Sequence, residues 1–230
     1  MKIAFTGLEL PEGKLKYNDP IFIDLVKKFQ PVKTSPFYFE FISEHFDSAR
    51  AIAVSKDHIL DLLILDMEKI ESRLYKVEDA YEKHTLEKCL EHLEEQKPLC
   101  DFSADCKERV IIKALGLLSS KPVVVFDEIS PDPDIVIRNI MENAGMMFFY
   151  TVGKQEVHAW LVEKGTDAVT CAGKIHSDLA RGFIKAELVS CEHMMRAHNM
   201  HDVRTKGLSR LVDRNYTIPE RSILDIRFNV

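Results

Sequence analysis

Gly7, Gly13 and Lys14 follow the apolar run Lys2–Thr6, and their types and spacing suggest phosphate chemistry. A phosphate-binding loop has the form G-x-x-x-x-G-K-[ST]. Its glycines let backbone amides wrap the phosphates, its lysine neutralises them and its hydroxyl holds Mg²⁺. Here the stretch reads Gly7-Leu8-Glu9-Leu10-Pro11-Glu12-Gly13-Lys14-Leu15, one residue too long between the glycines. Leu15 stands where a hydroxyl is needed, Pro11 lacks an amide donor, and Glu9 and Glu12 bring negative charge. The segment therefore reads as the remnant of a nucleotide-binding loop. Hydrolysis needs all of these groups together, so the expectation from sequence is a chain that is not an enzyme and holds no cofactor.

Other chemistry-bearing groups have plainer readings. Asp127, Glu128, Asp132 and Asp134 could hold a cation, but they suit a solvated loop with Asp132 capping the next helix. His193, His198 and His201 lack the i, i+4 spacing of a helical metal pair, and no metal site is expected. His176 and Asp178 come without a nucleophile and read as a turn into a strand starting near Phe183. The five cysteines, Cys89, Cys100, Cys106, Cys171 and Cys191, are odd in number and scattered, so they read as free thiols.

The elements that must position these groups follow from periodicity. Strands are expected at Lys2–Thr6, 37–43, 49–55, 121–126 and Met146–Val152, with helices at 21–29 and 132–145. Leu63, Met67, Ile70, Leu74, Val77 and Tyr81 step by 4, 3, 4, 3, 4, which places one seam on a helix over 57–81. A second helix is expected at 86–96, forming an antiparallel hairpin with the first. A third is expected over 103–119 with Ser103 as its N-cap. Alternating strands and helices argue for an α/β part with a mostly parallel sheet. After Val152-Gly153-Lys154 the order changes: strands at Glu156–Glu163, 183–189 and 223–228 surround short helices, making a small α+β unit.

Hydrophobic residues make up 46% of the chain and charged residues 30%, an ordinary globular balance. No apolar run is long enough for a membrane span, and Met1–Gly7 does not read as a signal peptide, so a cytoplasmic protein is expected. The net charge of −6 is uneven: residues 151–230 carry 12 bases against 10 acids and are the only net-basic part.

Three blocks of sequence are similar to the YchF-type Obg-like ATPases, translation-linked P-loop NTPases. One block joins Asp66–Leu74, Glu91–Leu99 and Leu117–Val123. Another is Phe148–Trp160. The last pairs Gly173–Val189 with Ile226–Val230. The resemblance implies a truncated, P-loop-NTPase-like α/β domain (1–60 and 121–152) carrying a helical, coiled-coil insertion (61–120). A β-grasp, ubiquitin-like TGS domain (153–230) follows. The family's Asp-x-x-Gly has no glycine in Ser43–Ser48, and its Asn-x-x-Glu has no asparagine in Asp127–Ser130. With only about 55 residues before the helical block, the resemblance points to a trimmed member that binds the ribosome or RNA without catalysis. Lys174, His176, Arg181 and Lys185 would make the contacts. The alternatives are residual ATP or GTP binding at Gly7, Gly13 and Lys14, or a scaffold recruiting a protein partner through the acidic helical hairpin. A strand edge bared by trimming would favour a homodimer.

Overall fold

The computed structural model describes residues 1–229; Val230, the last residue of the C-terminal motif, lies outside them. The elements run β1 Lys2–Thr6, β2 Gly13–Lys16, α1 Pro20–Phe29, β3 Lys33–Ser35, β4 Tyr38–Ser43, β5 Ala51–Ser55, α2 Ile59–Leu74 and α3 Ala80–Glu94. They continue as α4 Cys106–Ala114, β6 Val123–Phe126, α5 Pro133–Asn143, β7 Met146–Val152, β8 Glu156–Glu163, α6 Ala168–Ile175 and α7 Ser177–Arg181. Last come β9 Phe183–Ser190, α8 Cys191–Arg196, α9 Met200–Thr205, β10 Ser209–Val212 and β11 Ser222–Phe228. Among the described residues no helix is long and apolar enough to cross a membrane. Two compact units result, Met1–Leu15 with Tyr38–Ala144, and Lys16–Phe37 with Gly145–Val230.

The first unit is built on a sheet of order β2-β4-β1-β5-β6, in which β4, β1, β5 and β6 pair in parallel. Every residue of β5 is buried, as expected of a central strand covered on both faces. Its Ile52 and Val54 join Leu62, Leu63 and Ile70 of α2 and Leu86, Cys89 and Leu93 of α3 in one core. The seam expected to run to Tyr81 stops at Leu74. The amides of Lys76 and Val77 bond back to the Arg73 carbonyl, and Asp79 starts a new helix by accepting from the Glu82 amide at 2.7 Å. Arg73 then bridges the break, donating to both carboxylate oxygens of Glu82 at 2.6 and 2.9 Å.

The third helix is also shorter than the sequence suggests. Asp105, not Ser103, is its N-cap: the side chain accepts from Lys107 and Glu108 amides while Glu108 accepts from the Asp105 amide. Gly116, at φ +61°, follows its end. Beyond it, Leu118–Ser120 form a single 3₁₀ turn held from below by Asp66. Asp66 is fully buried on α2 and accepts from the Leu118 amide at 2.6 Å and the Ser119 amide at 2.7 Å.

The second unit has a mixed sheet of order β10-β9-β11-β7-β8-β3. β7 and β8 form an antiparallel hairpin, β11 lies parallel to β7 on its other side, and β9 and β10 follow antiparallel. The boundary expected at Val152-Gly153-Lys154 is the turn of that hairpin, so β7 belongs with the second unit. Burial explains this: Met147 and Phe149 of β7 pack with Cys171 and Ala172 of α6 and Ala186 and Leu188 of β9. Residues 16–37 also join this unit. Asp19 caps α1, accepting from the Ile21 amide at 3.0 Å, and receives the Tyr150 hydroxyl in a buried bond of 2.5 Å. β3 pairs in parallel with β8 and is pinned by Lys33 and Ser35, both bonded to Glu156.

Candidate functional site

In the first unit a cleft of about 870 Å³ lies where β1, β4 and β5 end. That is the end at which open parallel sheets gather ligands, because successive loops diverge there. Thr6 and Gly7 contribute from β1, Glu44 to Ser48 from the segment after β4, and His58 and Asp61 from the segment after β5. Gly7 has φ +67°, and a Cβ there would sit 2.3 Å from Ser55 Oγ and 2.4 Å from His58 Nδ1. Those two side chains are bonded to one another at 2.8 Å. Behind them the Phe46–Ser48 turn is fixed by Lys121, whose ammonium donates to the Phe46 carbonyl at 2.6 Å and the Asp47 carbonyl at 2.9 Å. Burial holds the Lys121 pKa below the ordinary lysine range.

Gly7→Ala is expected to lower stability by about 2–3 kcal/mol, combining a left-handed backbone penalty with displacement of the Ser55–His58 pair. A thermal melt of the variant checks it; an unchanged midpoint would contradict the packing described.

Of the three residues of the loop remnant, only Gly7 lines this cleft. Gly13 and Lys14 lie in β2, at the edge of the sheet. A phosphate loop passes from strand to helix, whereas this one passes from strand to strand. The Glu9 amide, a candidate phosphate donor, is already bonded to the Ile129 carbonyl at 2.7 Å. The cleft instead carries the carboxylates of Glu44, Asp47 and Asp61. In the nearby acidic loop Asp132 caps α5, accepting from the Asp134 amide, and Asp127 pairs with Lys56 at 3.3 Å.

In the second unit α6 and α7 meet at His176, which ends one helix and starts the next. Its Nδ1 accepts from the Asp178 amide at 3.2 Å. The turn expected at His176-Ser177-Asp178 is thus the first part of α7. Gly173 lies where a Cβ would come 3.3 Å from Ala180, so its missing side chain lets the two helices approach closely. Lys174 and Arg181 flank this corner and are exposed; Arg181 pairs with Asp178 at 2.8 Å. Lys185 does not join them. Strand alternation puts Ala186 and Leu188 against α6 and turns Lys185 to the other face, where it pairs with Asp213 at 3.1 Å.

On that other face lies a network that sequence reasoning missed. Glu187 is only 3% exposed and accepts from Arg204 Nη2 at 2.7 Å, Ser209 Oγ at 2.7 Å and Arg227 Nη2 at 3.3 Å. Arg204 also pairs with Asp225 at 3.2 Å. The guanidinium of Arg204 holds the Glu187 carboxyl at about 2. A charge inside the apolar run Phe183–Ser190 was the available signal.

The C-terminal family YchF-GTPase_C, described as a protein of unknown function (DUF933), matches residues 146–229, which take in β7 to β11. The ribosome-binding ATPase YchF of Bacillus subtilis is 27% identical over 237 residues, 74% of this chain and 65% of that protein. The chain is similar to the YchF-type family, and residues 146–229 match its C-terminal domain. The ribosome-binding ATPase YchF of Mycoplasma genitalium is 38% identical over 95 residues, 41% of this chain and 26% of that one. Human Obg-like ATPase 1 is 39% identical over 82 residues, 36% and 21% respectively. The match thus spans less than two thirds of each of these relatives. The structure of the Schizosaccharomyces pombe YchF GTPase superposes with a TM-score of 0.82 at 15% identity, covering 99% of this chain and 97% of that one, which establishes the fold.

These relatives overturn the expectation that the chain is not an enzyme: they carry the names of ATPases and a GTPase, and the family is one of NTPases. The missing loop letters describe one segment only, whereas the names of the relatives rest on proteins longer than the matched stretch.

Proposed function

We propose that this chain binds the ribosome through its second unit, with Lys174, His176 and Arg181 at the α6–α7 corner as the contact and Lys185 outside it. The observation that carries the reading is that corner, with two exposed cations beside a helix junction, inside residues 146–229 that match the YchF C-terminal family, whose named relatives include ribosome-binding ATPases. Lys174 has no ion-pair partner among the described residues, so its charge is available to phosphate. The fold supports a TGS-like β-grasp for this unit. A β7–β8 hairpin, one crossing helix α6 and a last strand parallel to the first make up that pattern. Ribosome binding also implies a cytoplasmic chain.

Salt-dependent co-sedimentation with purified ribosomes tests the reading. Pelleting should fall as salt rises, since phosphate contacts release counterions. Lys174→Ala with Arg181→Ala should weaken it by about tenfold and flatten the salt dependence. Undiminished pelleting of the double variant would sink the assignment.

A second reading rests on the cleft at Gly7. Its volume of about 870 Å³ falls within the range of small-molecule pockets, and its position at the strand ends suits a nucleotide. Calorimetric titration with ATP and with GTP, each with Mg²⁺, decides it: saturable heat supports nucleotide binding, and no heat up to millimolar ligand contradicts it.

A further inference from the structure

Glu156, His158 and Trp160 alternate along β8 and so share one face of it. The His158 ring lies on the Trp160 indole, with ring centres 3.6 Å apart and planes 13° from parallel. Trp160 is itself fixed, its Nε1 donating to Thr151 Oγ1 at 3.1 Å across the hairpin. His158 Nδ1 also stands 3.5 Å from Glu156 Oε1. That same oxygen pairs with Lys33 Nζ at 2.8 Å and accepts from Ser35 Oγ at 2.5 Å. Both donors belong to β3, a three-residue strand at the edge of the sheet beside β8. One carboxylate oxygen thus serves the two side chains that fasten β3 and the imidazole next to them.

We propose that Glu156 and His158 form a pH-sensitive latch on β3: when His158 takes a proton, Glu156 turns from Lys33 and Ser35 to the imidazolium, and the strand loosens. A charged donor arriving at Oε1 competes with the two already there, and imidazolium and Lys33 repel one another across it. Little else holds β3, since its ladder is short and Lys33 and Thr34 are exposed. The charged groups that face His158 are Glu156 on its own strand and Lys33 on β3. On β7 it is opposed by Thr151, a neutral hydroxyl. On the same face of the sheet α6 carries Asp167, which caps its own helix, and Lys174 in its last turn. On the opposite face α1 carries Asp24, Lys27 and Lys28. Burial lowers the His158 pKa from the ordinary 6.5, so the ring is neutral and the latch closed at neutral pH. The bonds from Lys33 and Ser35 hold Glu156 below the ordinary 4.5, so it stays ionised while His158 titrates. The sign follows: a depressed histidine contributes stability that is present above about 6.5 and is lost as pH falls through its folded-state pKa.

Hydrogen exchange of the full chain tests the latch, with rates corrected for their intrinsic pH dependence. The readout is the peptide carrying Val32 and Lys33, whose amides bond to the Lys154 and Gln155 carbonyls at 3.0 and 2.9 Å. Wild type should lose at least threefold in protection there between about pH 7.5 and about pH 5, while the β7–β8 ladder keeps its own. His158→Phe keeps a ring on the indole and takes no proton, so its protection should not change with pH. Glu156→Gln should be weakly protected at both. Trp160 emission follows the proton itself: wild type should titrate with a midpoint below the ordinary histidine value, and His158→Phe should not. Should His158→Phe fail to fold, His158→Gln takes its place with the same expectation. A wild-type loss under threefold, an equal loss in the histidine variant, a pH response that survives Glu156→Gln, or Trp160 emission that stays flat down to about pH 4.5 would each overturn the proposal.

Discussion

Asp66→Ala is expected to destabilise the first unit by about 3–5 kcal/mol, because it strands two buried amides at once. Asp66 is fully buried, and its two carboxyl oxygens each accept one amide, from Leu118 and Ser119. The turn they hold carries Leu118 in the core shared by α2 and α3, and its Ser119 hydroxyl accepts from the Leu99 amide at 3.2 Å. Losing the carboxyl therefore loosens the turn, the packing above it and the adjoining Leu99–Asp101 turn together. Asp66→Asn keeps one carbonyl acceptor and should lose roughly half as much. Urea unfolding followed by circular dichroism reads the effect. A midpoint for Asp66→Ala within about 0.5 kcal/mol of wild type would show that the turn holds itself.

The second large effect is an acid-sensitive second unit. Glu187 is almost fully buried, and Arg204, Ser209 and Arg227 lower its pKa from the ordinary 4.5 to about 2. A folded-state pKa below the unfolded one stabilises the fold above the unfolded value. That contribution is complete above about pH 4.5 and drains away as pH falls through 2. A difference of this size corresponds to on the order of 3 kcal/mol. Trp160, the single tryptophan, packs against the second unit's core and reports its unfolding. Wild-type stability read this way should decline between pH 4.5 and 2, while Glu187→Gln should start lower and decline less. Parallel pH curves for the two proteins would show that Glu187 is not the titrating group.

How far the sequence was legible depended on whether an element is stabilised by its own pattern or by distant partners. β1, β7, β8 and β11 were readable because bounded apolar or alternating runs specify buried strands. The break between α2 and α3 was not, since Val77 and Tyr81 continue the helical spacing. Asp79 with Glu82 three residues on was the signal for a new N-terminus. β2, β3 and β10 are short and largely polar, and their strand character comes from neighbours such as β8 rather than from alternation. At the candidate sites, Gly7 could be placed from its position after an apolar strand. Gly13 and Lys14 could not, because their matching letters sit in β2. Lys185 was grouped with Lys174 and Arg181 by closeness in sequence, and the two-residue period of β9 separates them. Glu187 joins Arg204, Ser209 and Arg227 across three elements, a meeting that only the sheet order creates.

Site-directed photo-crosslinking on purified ribosomes tests the central claim most directly. A benzophenone amino acid would replace Lys174 at the α6–α7 corner in one protein and Glu91 on the outer face of α3 in another. The account predicts ribosomal crosslinks from position 174 that fade as salt rises, with few from position 91. Crosslinks confined to position 91, or none to the ribosome from position 174, would contradict it and move the contact to the helical pair.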